Sequence, residues 1–371
     1  MNRQRTVKHF SLHRIAHPAQ SRGAYTELRV VSDVEAGVIS LIRVEEQVLG
    51  QYVASPLWKQ ETVTLFVLRD LEPLISQLDQ KAALPPGGSS GLQYRPIINL
   101  YDWAKPIACH IFINQGAMEK EKYWDDYEAV KALLAHEHGH PLAECETTRA
   151  ARLIEITVHP SSATNLFRRV APTEKIREWE DKIERLINVV VEKLCLYGPR
   201  EIFANDVTIQ TGFADTLFYL DAENVRRAAA SIETRETLLG QLRGEMEAGK
   251  VLTENGVALL MSIADMKGHL DLALEISSFY RQGKQSEAEK LERPFLDHVI
   301  AHLEPEVRDA YLSLRENYIG FPTDLTPEQL ALRERQLLAI LDRALRTKGV
   351  ALDYRVTVSH QSPSKADSKK I

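Results

Sequence analysis

The chain has 371 residues, of which 44% are hydrophobic and 26% charged, the proportions of an ordinary globular protein with room for about two or three domains. Lys+Arg number 46 and Asp+Glu 52, a net charge of −6, which argues against a protein whose main task is neutralising nucleic-acid phosphates. No apolar run approaches the roughly 18 residues of a membrane span. An odd count of three cysteines with no CxxC makes no disulfide framework and fits a reducing compartment.

Residues 1–23 read as a basic N-terminal arm. They carry Arg3, Arg5, Lys8, Arg14 and Arg22, and the first acid of the chain is Glu27. The arm lacks the apolar core of a secretory signal, so a cytoplasmic location is expected. An organellar transit peptide has the same acid-poor look and is the alternative.

Residues 24–115 read as a mixed α/β lobe. Val30–Val31 and Val38–Val44 carry β-branched runs, as does Thr62–Leu68, where a strand is expected. Leu71–Leu84 suits a short helix that runs into the breaker Pro85–Gly91. That breaker has no lysine and is no phosphate loop. Pro96–Leu100 and Ile107–Ile113 fit two more strands.

From Lys120 the period becomes helical. Tyr127, Val130, Leu133 and Leu134 share a face at spacings of three and four. Asp125 and Asp126 suit the first turn, and Gly139 and Pro141 signal the end. Further helical stretches are expected near Ala143–Val158 and Glu174–Leu196, the latter stopped by Gly198-Pro199. Residues 116–214 form the motif-bearing core on this reading. Residues 215–350 read helical almost throughout, with Thr326-Pro327-Glu328-Gln329 a helix start with Thr as N-cap and Gln at N3. The polar, Ser/Lys-rich residues 351–371 read as a disordered tail.

Chemistry is carried by His136-Glu137-His138-Gly139-His140, an H-E-x-x-H sequence. Two histidines four apart lie one above the other on a helix face and can share one tetrahedral Zn²⁺ with bonds of about 2.0–2.1 Å. Glu137 is offset by one position. It reaches a water activated by the metal rather than the metal, and serves as general base. His138 points away from the pair and is expected to find a hydrogen-bonding partner. The plain alternative is a His-rich helix end, whose last turn favours cations.

The H-E-x-x-H helix resembles the signature of the zincin metallopeptidases, from the strand near Ile107 to about Asp206. The resemblance implies an α+β fold with a zincin-like core, a small mixed sheet plus an active-site helix. A mainly α-helical C-terminal region would follow. It also implies a third zinc ligand. In metzincins the ligand comes ten residues after the first histidine, where this chain has Glu146 instead of His, and Ala143 replaces the turn glycine. In gluzincins a glutamate comes from a later helix. Glu201 is the candidate favoured here, and Asn205, four residues on, could orient a histidine from the second layer. Asn205 lacks the charge of the usual aspartate, and Asp206 could substitute.

The expectation is therefore a zinc-dependent metallopeptidase acting on a peptide or protein. The strand Ile107–Ile113 would be the sheet edge that pairs with substrate. Among Tyr197, Arg200, His159 and Tyr219, no spacing singles out an oxyanion-stabilising residue. Cys145 reads as a lone buried cysteine. The rival reading is a helical adaptor with an accidental metal site, whose helical C-terminal region binds a protein partner.

Overall fold

A computed structural model describes residues 6–18, 24–75, 94–102, 107–162, 165–249 and 251–359. The fold is mixed α+β. The described parts of 1–144 and 207–220 form one unit, and those of 145–206 and 221–361 form another.

The first unit is built on five strands: β1 (His9–Ala16), β2 (Tyr25–Ser32), β3 (Thr62–Leu68), β4 (Ile97–Tyr101) and β5 (Ala108–Asn114). Their order is β1-β2-β3-β5-β4, with β2, β3 and β5 mutually parallel and β1 and β4 antiparallel at the edges. Alternation decides which face is buried. Leu28, Val30, Val63, Leu65, Val67, Cys109, Ile111 and Ile113 are all 0% exposed.

Two features depart from the sequence expectations. The basic arm contributes a strand, because its alternating Phe10, Leu12 and Arg14 suit a sheet edge. Val38–Val44 is not a strand. It opens helix α1 (Val38–Tyr52), whose buried Val38, Leu41, Ile42, Glu45, Val48, Leu49 and Tyr52 recur at helical spacing. This helix supplies the crossover that parallel β2 and β3 require.

A short α2 (Gln115–Lys120) leads to the motif helix α3 (Tyr127–Gly139). Asp126 caps α3 by accepting from the Ala129 amide at 3.1 Å. Its apolar face buries Val130 and Leu134 with Ala129, Ala132 and Ala135, while Tyr127 stays exposed. Pro141 tightens the end into the 3₁₀ turn His140–Leu142. Most of Leu71–Leu84, and all of Pro85–Gly91, lies outside the described residues.

In the second unit the expected helix at Ala143–Val158 is cut short. It becomes α4 (Glu146–Ala151) followed by strand β6 (Ile154–Ser162). The β-branched Ile154, Ile156, Thr157 and Val158 favour extension, and β6 pairs antiparallel with β7 (Val350–Val358). The tail expected to be disordered from 351 therefore begins as a strand. Residues 360–371 lie outside the described residues.

Helix α5 (Thr173–Val191) does not stop at Gly198-Pro199. It passes through a π turn, Glu192–Tyr197, into α6 (Gly198–Thr208). Pro199 has no amide hydrogen for the Cys195 carbonyl four residues back, and its ring crowds that carbonyl. Widening the turn relieves both problems without ending the helix. A second π turn, Ile209–Phe213, leads into α7 (Ala214–Gly249). Gly212 sits there at φ 94°, and a Cβ would lie 2.5 Å from Gln51 Nε2. That same nitrogen donates to the Thr211 carbonyl at 2.7 Å, so glycine is required.

The remaining helices are α8 (Glu254–His269), α9 (Leu272–Arg281), α10 (Gln285–His298), α11 (Pro305–Ile319) and α12 (Pro327–Arg346). The Thr326–Gln329 capping box is present as expected. No described helix is long and apolar enough to cross a membrane.

Candidate metal centre

The end of α3 carries the two histidines of the motif. His136 lies in its last turn and His140 opens the 3₁₀ turn, still with right-handed helical φ/ψ of −54° and −54°. The i, i+4 relation is thereby preserved past Gly139. The two rings stand with centroids 4.7 Å apart and planes at 83°.

Two hydrogen bonds from β4 hold this helix end. Asn99 Nδ2 donates to the Glu137 carbonyl at 2.7 Å, and the Tyr101 hydroxyl donates to the His140 carbonyl at 3.3 Å. Both carbonyls belong to the last turn of a helix, where intrahelical donors run out. Neither Asn99 nor Tyr101 was picked out by sequence reasoning. Their alternation along β4 is visible, but its register over the motif is not.

The opposite side of α3 is fixed from α1. His138 Nε2 lies 2.8 Å from Glu45 Oε1, and both side chains are wholly buried. His138 is thus the hydrogen-bonding residue expected, and not a ligand. Tyr52 and Trp58 pack round it, with ring centroids 5.7 and 5.6 Å from the imidazole. The Tyr52 hydroxyl donates to the Ala135 carbonyl at 2.6 Å. Burial raises the Tyr52 pKa to about 12, so this donor keeps its proton.

The Ala135 carbonyl also receives the Thr208 hydroxyl at 3.4 Å. Glu201, Asn205 and Thr208 stand at i, i+4 and i+7, one stripe of that helix. Glu201 meets the two histidines: one ligand atom from each of His136, His140 and Glu201 lies within 4.8 Å of the others, all three residues being half-buried. Among the described residues this is the one group of three or more His, Cys, Asp or Glu side chains so disposed. Two imidazoles and one carboxylate suit a zinc ion with an open coordination position. Glu146 does not join them. It stands exposed in the first turn of α4.

Asn205 is buried on the same stripe of α6 as Glu201. Asp206 is committed elsewhere, since Arg281 Nε and Nη2 donate to its Oδ2 at 3.0 and 2.9 Å. The four oxyanion candidates scatter. The Tyr219 hydroxyl donates to Asp126 at 2.9 Å, and the exposed His159 of β6 pairs with Glu184 at 3.2 Å. Tyr197 closes the π turn, and Arg200 adjoins Glu201 in α6.

None of the cysteines belongs to that cluster. Burial, with the Glu45 and Glu137 charges, pushes the Cys109 thiol well above its usual range, and burial does the same to Cys195. Cys145 is half-buried, and it caps α4 by accepting from the Thr148 amide.

No family model, curated protein or solved structure matches the chain.

Proposed function

We propose that this chain is a zinc-dependent hydrolase with a zincin-like core, and that its substrate is a peptide or protein. The observation that carries the reading is the convergence of His136 and His140, singled out by their spacing, with Glu201, the third ligand that the resemblance to gluzincins implies.

A zinc ion held by these three side chains supplies Lewis acidity, which polarises a carbonyl and makes water acidic near neutral pH. Glu137 follows the first histidine and is free of the ligand set. It removes the proton of the attacking water and returns it to the leaving amine. Asn205, on the ligand stripe, is the candidate to hold a histidine ring by hydrogen bonding from the second layer.

The substrate-pairing edge moves from the strand first expected. β5 lies inside the sheet between β3 and β4, so it has no edge to offer. β4 is the outer strand and its Asn99 and Tyr101 touch the motif helix. An extended peptide adding to β4 by main-chain hydrogen bonds runs past that helix end. Hydrolysis of a peptide library by zinc-loaded protein tests this reading. Cleavage that disappears in Glu137→Gln supports it, and no cleavage by zinc-loaded wild type counts against it.

A further inference from the structure

We infer that Arg281 is a positioning residue for the metal ligand Glu201, acting through Asp206; the inference rests on the zinc reading above. Arg281 closes α9 and is only 11% exposed, and Asp206 is 9% exposed. Its guanidinium has two separate tasks. Nε and Nη2 grip the Asp206 carboxylate on α6. Nη1 donates to the carbonyls of Tyr318, Ile319 and Phe321 at 3.3, 3.2 and 2.6 Å. Tyr318 and Ile319 lie in the last turn of α11, where intrahelical donors run out, and Phe321 lies just past it; the Tyr318 carbonyl also takes the Phe321 amide at 3.2 Å, so the cation helps to complete that helix end and ties α6 to it.

Other contacts share this seat. The Tyr318 hydroxyl donates to the Leu194 carbonyl at 2.8 Å, inside the π turn that leads into α6. Phe321 lies edge-on to Phe203 of α6, and the Arg281 guanidinium covers the Phe203 ring at 5.4 Å. The π turn before α6, the middle of α6 and its last turn are therefore all held by one short stretch, Tyr318–Phe321, with Arg281.

Magnitudes show why a ligand helix needs this. A carboxylate about 6 Å from a helix axis moves about 1 Å for each 10° of rotation. A metal–ligand distance tolerates about 0.2 Å. The π turns on either side of α6 weaken the usual coupling of its phase to α5 and α7, so the phase must be set from outside. A flat fork sets it and a lysine cannot, because one ammonium does not span the carboxylate and three carbonyls together.

The test measures zinc dissociation constants by chelator competition on the full chain. The variants are Arg281→Lys, Asp206→Asn and Glu201→Gln, with each of the first two also combined with Glu201→Gln. Arg281→Lys and Asp206→Asn are each expected to weaken zinc by about 10–100-fold. In the Glu201→Gln background neither should weaken it further, since the ligand they position is gone. Equal losses in both backgrounds would mean a merely structural role and overturn the inference, as would no loss in the single variants. Amide exchange across 198–208 in metal-free protein is the second readout, expected to quicken in both single variants. Wild type without zinc defeats the metal reading and hence the positioning of a ligand. Quicker exchange in that event leaves the clamp on α6 standing alone, and unchanged exchange removes it too.

Discussion

His138 Nε2 and Glu45 Oε1 stand 2.8 Å apart, and neither side chain is exposed at all. This pair fixes the rotation of α3 about its own axis, and so decides which side His136 and His140 face. Breaking a buried pair strands the remaining polar group, which costs about 3–5 kcal/mol. Glu45→Ala should therefore lower the stability measured by urea denaturation by about that much. The double variant Glu45→Leu/His138→Leu should recover most of the loss, because no unpaired polar group remains. A single variant within about 0.5 kcal/mol of wild type would show that the pair does not hold the helix.

Glu137 separates chemistry from metal binding. Glu137→Gln should retain zinc, since the residue is outside the ligand set. Gln cannot accept a proton from water at neutral pH, so peptide hydrolysis should fall by at least about 10²-fold. Loss of zinc from this variant would make Glu137 a ligand or a prop and reject its role as base.

The two glutamates weighed as third ligand make opposite predictions. Glu201→Ala removes a donor and its charge from the cluster, and should release zinc to chelators that leave wild type loaded. Glu146→Ala alters an exposed first-turn residue of α4 and should leave the zinc affinity unchanged. Equal affinities in wild type and Glu201→Ala contradict the assignment.

Stability should also depend on pH through Asp221 and Glu275. Burial pushes both carboxyls well above their ordinary 3.8 and 4.5, although a hydrogen bond joins the pair. The Asp221 and Asp271 charges raise Glu275 further, while Lys193 and Asn224 act against the rise. The folded state thus holds a proton that the unfolded chain has released. The resulting stabilisation is complete below the ordinary values and is lost as pH rises through the folded ones, at about 1.4 kcal/mol per pH unit for each extra proton held. Asp221→Asn should flatten the fall in stability above pH 4.5 relative to wild type. Parallel curves would show that the pair carries no shared proton.

The motif helix was legible because its signals are local. Asp126 is a cap, Val130 and Leu134 mark one face, Gly139 and Pro141 end it, and the spacing of His136 and His140 is itself the geometry. Glu201 was legible only as a plausible donor, since contacts such as Thr208 to Ala135 and Arg281 to Asp206 cannot be read from spacing. Those contacts join elements far apart in the chain and leave no periodic trace. Proline misled at Pro199: the usual helix terminator is absorbed there by a π turn. At β1 and β7 composition misled, because the basic and polar residues interspersed along them hide the alternation of an edge strand.

On the function proposed above, His136, His140 and Glu201 together hold one zinc ion. Elemental analysis of the full chain, loaded with zinc and dialysed against buffer, tests it most directly. One zinc per wild-type chain is expected, and none in the double variant His136→Ala/His140→Ala, with the same circular dichroism as wild type. A wild type that keeps no zinc, or a double variant that keeps it in full, would contradict the claim.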